Sequence, residues 1–107
     1  MLTLKKSTDF QSTLKNGKWY STDLLVIYMN KNNKDINRVG IAVGKKVAKS
    51  VKRNRIRRVI REAYRLNENK FLTGYDIVIM WKSKNDISDI SFSNIEKCII
   101  NAFEKEE

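Results

Sequence analysis

The residues of this chain best suited to chemistry are cations crowded into one stretch, Lys49 to Arg65, which reads KSVKRNRIRRVIREAYR. From Lys45 to Arg65 there are ten basic residues against one acid, Glu62, a net charge of +9 out of the formal +10 of the chain. Arginine guanidinium groups and lysine ammonium groups at this density are suited to binding phosphate oxygens. A concentrated positive electrostatic field indicates a polyanionic partner.

The same stretch has the periodicity of an amphipathic helix. At about 100° per residue, Val59, Ile60 and Ala63 fall within about 60° of Ile56 and form an apolar side. The opposite side is polar and cationic, and it carries Asn54, Arg57, Arg58, Arg61 and Arg65. The helix is therefore predicted to pack by one side and to present cations on the other.

This charge pattern is unfavourable for an isolated helix. Arginines at positions 53, 57, 61 and 65 form successive i,i+4 pairs of like charge, each costing about 0.2 to 0.5 kcal/mol. Lys52 and Arg53 also fall in the first turn after Ser50, the predicted N-cap, where the helix dipole disfavours cations. Local rules are broken in this way where an external ligand compensates, and backbone N–H groups and arginines together bind phosphate well.

Nucleic acid is thus favoured over three alternative roles for this helix. A solvated charged face would interleave glutamates among the cations, and only Glu62 does so. A helix lying on an anionic membrane or in a calmodulin-like groove needs a wider apolar side, and this one is needed for packing. No membrane partner is therefore expected, and the longest apolar run, Leu24 to Met29, is too short to cross a bilayer.

Other site chemistries find little support in the residue types. The chain has no histidine and one cysteine, Cys98, which leaves no basis for a transition-metal site, imidazole catalysis or an internal disulfide. Asp76, Asp86 and Asp89 lack the convergent arrangement of a magnesium nuclease, so no catalytic and no metal-binding residues are predicted. Helix-turn-helix, zinc-ligand and heptad patterns are absent, which argues against a DNA partner. The single cysteine and the lack of a secretory signal favour the cytoplasm.

The elements that must position the basic helix suggest one α+β domain spanning residues 1–107. The predicted order is α-β-β-β-α-β-α, with helices packed on a mixed sheet of about four strands. The first helix is capped by Ser7 or Thr8 and stops at Gly17, a residue that tolerates a left-handed end. The closing helix is capped by Ser91 and carries Phe92, Ile95, Ile99 and Ala102 or Phe103 at helical spacing.

The strands follow from β-branched and aromatic runs bounded by polar turns. A short strand precedes Leu24–Asn30, and the turn KNNKDIN leads to Arg38–Val43, an arrangement interpreted as a hairpin. The last strand is Tyr75–Trp81, preceded by Gly74 in a turn, and KSKNDISDI after it is predicted to be a loop.

The segment Arg38 to Arg65, RVGIAVGKKVAKSVKRNRIRRVIREAYR, closely resembles the signature of the bacterial ribonuclease P protein family, the basic partner of a catalytic RNA. STDFQSTLKNG resembles the first helix of that family, LLVIYM its central strand and YDIVIMW its last strand. The matching positions of the signature are Gly44, Lys45, Lys46, Arg53, Asn54, Arg55, Arg57, Arg58 and Arg61.

The resemblance implies a role in 5′ maturation of tRNA in which the RNA subunit and its Mg²⁺ hydrolyse the phosphodiester and the protein cuts nothing alone. The protein would bind the ribonuclease P catalytic RNA and precursor tRNA. Residues expected to bind RNA are Lys45, Lys46, Lys49, Lys52, Arg53, Asn54, Arg55, Arg57, Arg58, Arg61 and Arg65.

The resemblance also implies a cleft between the first helix and the sheet that holds the 5′ leader of precursor tRNA. Phe10, Leu14 and Tyr28 would line it, although their spacing is equally typical of core residues. Leu14 stands where many relatives have a second aromatic residue. In addition, the resemblance implies that Arg38–Val43 and Tyr75–Trp81 are parallel and joined through the basic helix by a left-handed crossover.

Two other functions stay open from the residues alone. The chain could be an RNA-binding module of another ribonucleoprotein, such as a ribosomal protein, with no preference for precursor tRNA. It could also be a protein nuclease, which would cleave precursor tRNA with magnesium and no RNA partner.

Overall fold

The computed structural model describes residues 1–44, 49–82 and 90–106. This part of the chain contains five strands and three α-helices, with a 3-10 turn at Glu68–Lys70 after the second helix. In chain order the elements are β1 (Leu2–Thr3), α1 (Ser7–Asn16), β2 (Lys18–Ser21), β3 (Leu25–Lys31), β4 (Arg38–Ala42), α2 (Ser50–Asn67), β5 (Tyr75–Trp81) and α3 (Phe92–Glu106).

The strands form one mixed sheet in the order β1-β4-β5-β3-β2. β4 runs parallel to β5, and α2 lies between them in the chain, so the predicted parallel pair is confirmed. Its left-handed crossover stays a prediction. The strand count is five instead of about four because β1, which pairs with β4 through only Leu2 and Thr3, is too short to leave a sequence pattern.

The predicted hairpin between Leu24–Asn30 and Arg38–Val43 is wrong. β3 pairs with β2 on one side and β5 on the other, both antiparallel, and β5 separates it from β4. The reason lies in β5, which is buried at six of its seven positions and is therefore suited to the centre of the sheet. Alternation along β3 and β4 shows which face each residue takes but does not name the neighbouring strand.

The main core lies between one face of the sheet and the pair α2 and α3. Alternate residues of β3 and β5 point into it, and they meet apolar residues of both helices. Phe71 and Phe103 stack with ring centroids 4.0 Å apart, and Tyr64 packs against both rings. The residues fully buried here include Leu25, Ile27, Ile77, Ile79, Ile56, Ile60, Ile95 and Ile99.

The opposite face of the sheet is held to α1 by a charged network. The Arg38 guanidinium donates to both carboxylate oxygens of Asp76, at 2.7 and 2.6 Å, and to Asp9 Oδ2 of α1 at 3.3 Å. The Asn32 side chain donates to Asp76 Oδ1 at 3.0 Å. Burial would raise the pKa of Asp76, but hydrogen bonds from Arg38 and Asn32 outweigh it and lower the pKa.

The helix ends agree only partly with the predicted caps. Ser91 is confirmed, since its Oγ accepts a hydrogen bond from the Asn94 N–H at 3.4 Å. Ser7 and Ser50 are instead the first helical residues, and Thr8 is the second residue of α1. Neither Lys6 nor Lys49, the residues before these helices, makes a side-chain cap.

Gly17 does end α1, but with φ of −74° and not in the left-handed region. The requirement for glycine is spatial. A Cβ on Gly17 would lie 2.6 Å from the carbonyl oxygen of Thr13 and 2.9 Å from that of Met29.

The end of α3 is tied to the sheet by Glu106, the last described residue. Its carboxylate accepts hydrogen bonds from the hydroxyl of Tyr20 and, at 2.9 Å, from that of Tyr75. The hydrogen bond to Glu106 and burial raise the pKa of Tyr20 to about 12. The acidic end of the chain thus has a structural contact that joins α3 to β2 and β5. Of the predicted loop KSKNDISDI, residues 83–89 lie outside the described residues.

We expect Asp76→Asn to lower the free energy of unfolding by about 2 to 3 kcal/mol at pH 7, less than for a fully buried ion pair because Arg38 is 21% exposed. The folded-state pKa of Asp76 is lowered, so its contribution is present above the usual aspartate pKa and is lost as pH falls below about 4. Urea unfolding between pH 3 and 7 measures both effects. The control is Asp35→Asn, a substitution in an exposed turn. If acid lowered the free energy of unfolding of Asp76→Asn as much as that of the wild type, the contribution assigned to Asp76 would be contradicted.

Candidate RNA interface

The basic helix is fixed by its apolar side, as its periodicity predicted. Ile56, Ile60 and Ala63 are fully buried against the sheet and α3, whereas Val59 is only half-buried. Tyr64, which the predicted apolar side did not include, is also buried. With four turns anchored in this way, the outward side chains are carried on a rigid element about 24 Å long from Lys49 to Arg65.

Most of the predicted RNA-binding side chains on α2 face solvent. Arg53 and Arg57 are half-buried, and the exposed members are Lys49, Lys52, Asn54, Arg55, Arg58, Arg61 and Arg65. Lys45 and Lys46 lie outside the described residues. The structure therefore places the basic residues of 49–65, defined here as the cationic ridge, on the side of α2 that faces away from the core.

The ridge receives little compensation from the acids of the described residues. Arg65 donates to Glu62 at 2.6 and 3.3 Å, which lowers the pKa of Glu62, and Arg57 donates to the Asn54 side chain at 3.1 Å. Within 1–44, 49–82 and 90–106, the side chains of Arg55, Arg58 and Arg61 have no ion-pair or hydrogen-bond partner. An exposed pair such as Arg65 with Glu62 is screened by solvent and contributes little to stability, so the repulsion along the ridge persists.

The open face of the sheet, on the side of α1, carries the predicted cleft residues. The register sets Gly40, Val78, Tyr28 and Trp19 in one row across β4, β5, β3 and β2. Phe10 of α1 lies over the β4 end of this row, where a Cβ on Gly40 would come within 3.0 Å of its ring. Gly40 therefore makes room for Phe10, a role that the sequence did not reveal.

Phe10 and the ridge meet at the edge of β4. Because β1 is short, the edge of β4 beyond Val39 is not covered by a strand, and a small cavity of about 180 Å³ opens there. Its lining includes Phe10, Arg57 and Arg61 together with Leu4, Gly40 and Ile41. An aromatic residue from one layer and two arginines from the other thus border a single cavity.

The other two predicted cleft residues lie further away. Tyr28 is two strands from Gly40, a distance of about 10 Å, and Leu14 lies one turn beyond Phe10 on α1. All three side chains are half-buried, so each retains exposed surface. The row beside them is also half-buried and extends the apolar floor, although no sequence pattern singles it out; it consists of Ala42, Met80 and Val26.

Comparison with known proteins gives the family of the chain. A family model described as Ribonuclease P matches residues 1–107. The chain belongs to the ribonuclease P protein family. The ribonuclease P protein component of Clostridioides difficile (strain 630) is 48% identical over 99 residues, covering 92% of this chain and 85% of that protein. That of Clostridium botulinum (strain Loch Maree / Type A3) is 44% identical over 103 residues, covering 95% and 91%.

Solved ribonuclease P proteins share the fold over the whole chain. The protein from Thermotoga maritima has a TM-score of 0.88 at 28% identity, covering 100% of this chain and 99% of its own. That from Staphylococcus aureus has a TM-score of 0.85 at 28% identity, covering 100% and 96%. The chain is accordingly a protein subunit of the ribonuclease P holoenzyme, which processes the 5′ end of tRNA, and ribonuclease P RNA is its partner.

None of the helices within residues 1–44, 49–82 and 90–106 is both long and apolar enough to span a membrane. Cysteine, aspartate and glutamate side chains in the same residues form no group of three or more that could hold a metal ion.

We expect binding to ribonuclease P RNA to depend strongly on salt. If about six phosphates are neutralised, log affinity falls with log salt at a slope of about −4 to −5, and Arg61→Ala reduces that slope by about 1. Filter binding over a range of potassium concentrations measures it. Lys97→Ala, the same loss of charge on an exposed position of α3, should leave the slope unchanged. Equal slopes for wild type and Arg61→Ala would contradict the role of the ridge.

Proposed function

We propose that the chain binds ribonuclease P RNA through the cationic ridge of α2 and holds the 5′ leader of precursor tRNA in the cleft between α1 and the sheet. The observation that carries this proposal is the cavity at the edge of β4, which is bordered by Phe10 together with Arg57 and Arg61. A strand of RNA entering there would place its bases against the sheet and its phosphates against α2.

The ridge supports the first half of the proposal through its electrostatics. Its arginines repel one another, and the ion pair between Arg65 and Glu62 offsets only part of that repulsion. Phosphates placed along the ridge would replace this repulsion with charge-assisted hydrogen bonds, in which arginine can donate two at once. The residues proposed for this role are those predicted from the sequence: Lys45, Lys46, Lys49, Lys52, Arg53, Asn54, Arg55, Arg57, Arg58, Arg61 and Arg65.

The cleft supports the second half through its surface. Phe10, Leu14 and Tyr28 are half-buried beside a floor of Val26, Met80 and Ala42, which is half-buried as well. Aromatic faces stack on any nucleobase, so this surface suits a single strand of variable sequence. Leu14 provides apolar contact without a π face, which makes Phe10 and Tyr28 the stronger stacking positions.

In this proposal the chain positions the substrate and takes no part in bond cleavage. Magnesium ions bound to the RNA subunit would supply the hydrolytic chemistry. The protein would lower the repulsion between leader and ribozyme phosphates and fix the leader relative to the cleavage site. A cytoplasmic location, where precursor tRNA is made, belongs to the same proposal.

Reconstitution tests the proposal as a whole. With a bacterial ribonuclease P RNA, we expect the chain to allow cleavage at the mature 5′ end at magnesium concentrations where the RNA alone is inactive. Gel analysis of labelled precursor tRNA measures it. Cleavage by the protein without RNA would contradict the proposal, and so would an unchanged magnesium requirement.

Leader recognition is tested by the ratio of affinities for precursor and mature tRNA. We expect each of two substitutions, Phe10→Leu and Tyr28→Ala, to lower this ratio about five- to tenfold in the holoenzyme. Phe10→Leu keeps the apolar contact with Gly40 but removes the π face. A general folding defect would weaken both affinities and leave the ratio unchanged. Ile36→Ala, an exposed apolar position in the turn before β4, is the matched control. A ratio unaffected by both cleft substitutions would contradict the leader site.

A further inference from the structure

The large aromatic side chain of Trp19 stands in solvent on the edge strand β2. It is 63% exposed, whereas the second tryptophan of the chain, Trp81, is 2% exposed in the core. Exposed tryptophan is uncommon on a surface without a partner and is enriched where proteins bind. Nothing in the fold requires an indole at this position.

The indole lies on the open face of the sheet, beside the proposed cleft. Tyr20, the next residue, points the other way, since its hydroxyl donates to Glu106 of α3 and its ring packs on the core. Trp19 therefore points to the side of α1, directly opposite Tyr28 in the β2–β3 ladder. Cβ atoms of opposite residues lie about 4.5 to 5.5 Å apart, so the indole and the phenol are immediate neighbours.

The rings of this row have not packed against one another. Among the described residues the three ring pairs all lie in the core of α2 and α3, formed by Tyr64, Phe71 and Phe103. Phe10, Tyr28 and Trp19 belong to none of these pairs, and each retains exposed surface. They lie at increasing distance from the ridge, over β4, on β3 and on β2, so a strand entering at β4 would pass them in turn.

We propose that Trp19 is a further stacking position for the 5′ leader, which extends the cleft across the sheet to β2 and holds a base beyond the one at Tyr28. The inference rests on the proposed function, because it takes the leader to run across this face. Lys15 at the end of α1 is exposed and supplies positive charge for the leader backbone there.

A second copy of the chain is the other occupant that an exposed edge strand could attract. The charges disfavour it. β2 begins with exposed Lys18, a residue that discourages pairing of edges between copies, and two chains of net charge +10 repel each other. A polyanionic strand has the complementary charge.

The test combines Trp19→Ala with single abasic nucleotides placed along the leader, using the holoenzyme with ribonuclease P RNA. We expect Trp19→Ala to lower the precursor-to-mature affinity ratio about five- to tenfold and Trp19→Phe to retain most of it. One abasic position should weaken binding of the wild type by a similar factor and have no further effect on Trp19→Ala. Ile36→Ala, another exposed apolar side chain, serves as the control.

Fluorescence gives an independent reading because the two tryptophans differ in exposure. Binding of a leader-bearing substrate should quench the emission of the wild type, and Trp19→Phe, which leaves only Trp81, should show no quenching. Full leader preference in Trp19→Ala, or additive effects of Trp19→Ala at every abasic position, would overturn the inference while leaving the proposed function intact. A dimer in sedimentation that Trp19→Ala dissociates would also overturn it. A wild type with no leader preference would refute the proposed function itself.

Discussion

The insertion of β5 between β3 and β4 is the constraint on which the rest of this structure depends. β5 is buried on both faces, and its one charged residue, Asp76, is satisfied by Arg38 from β4 and Asn32 from the turn after β3. Because β4 and β5 are parallel, the chain must cross the sheet between them, and α2 makes that connection. The position of the cationic ridge therefore follows from how the central strand is paired.

The same insertion gives the two faces of the sheet different properties. One face is closed by α2 and α3 and contains the large apolar core, including the stacked Phe71 and Phe103. The other is only partly covered by α1, which crosses from β4 toward β3 and leaves a half-buried floor beside Tyr28. Stability comes mainly from the closed face, so the open face can remain available for a ligand.

The arginines of the chain illustrate this division. Arg38 is shared by Asp9 and Asp76 and joins α1, β4 and β5, so its charge is used within the fold. The arginines of α2 have few such contacts among the described residues, and their repulsion works against the helix that carries them. The apolar side of α2, with Ile56 and Ile60 fully buried, is what overcomes it. The fold thus tolerates a charge distribution that only an anionic partner makes favourable.

The sequence by itself determined the helices, most strands and the cationic side of α2, because these depend on local periodicity and on charge that is close in the chain. It could not determine that β5 separates β3 from β4, since alternation assigns a face and not a neighbour. Nor could it show that Gly40 makes room for Phe10, or that Phe10 shares a cavity with Arg57 and Arg61, because these contacts join residues distant in sequence. Only the tertiary structure decided that Trp19 stands opposite Tyr28 on the open face, since the register of two strands fixes which side chains become neighbours.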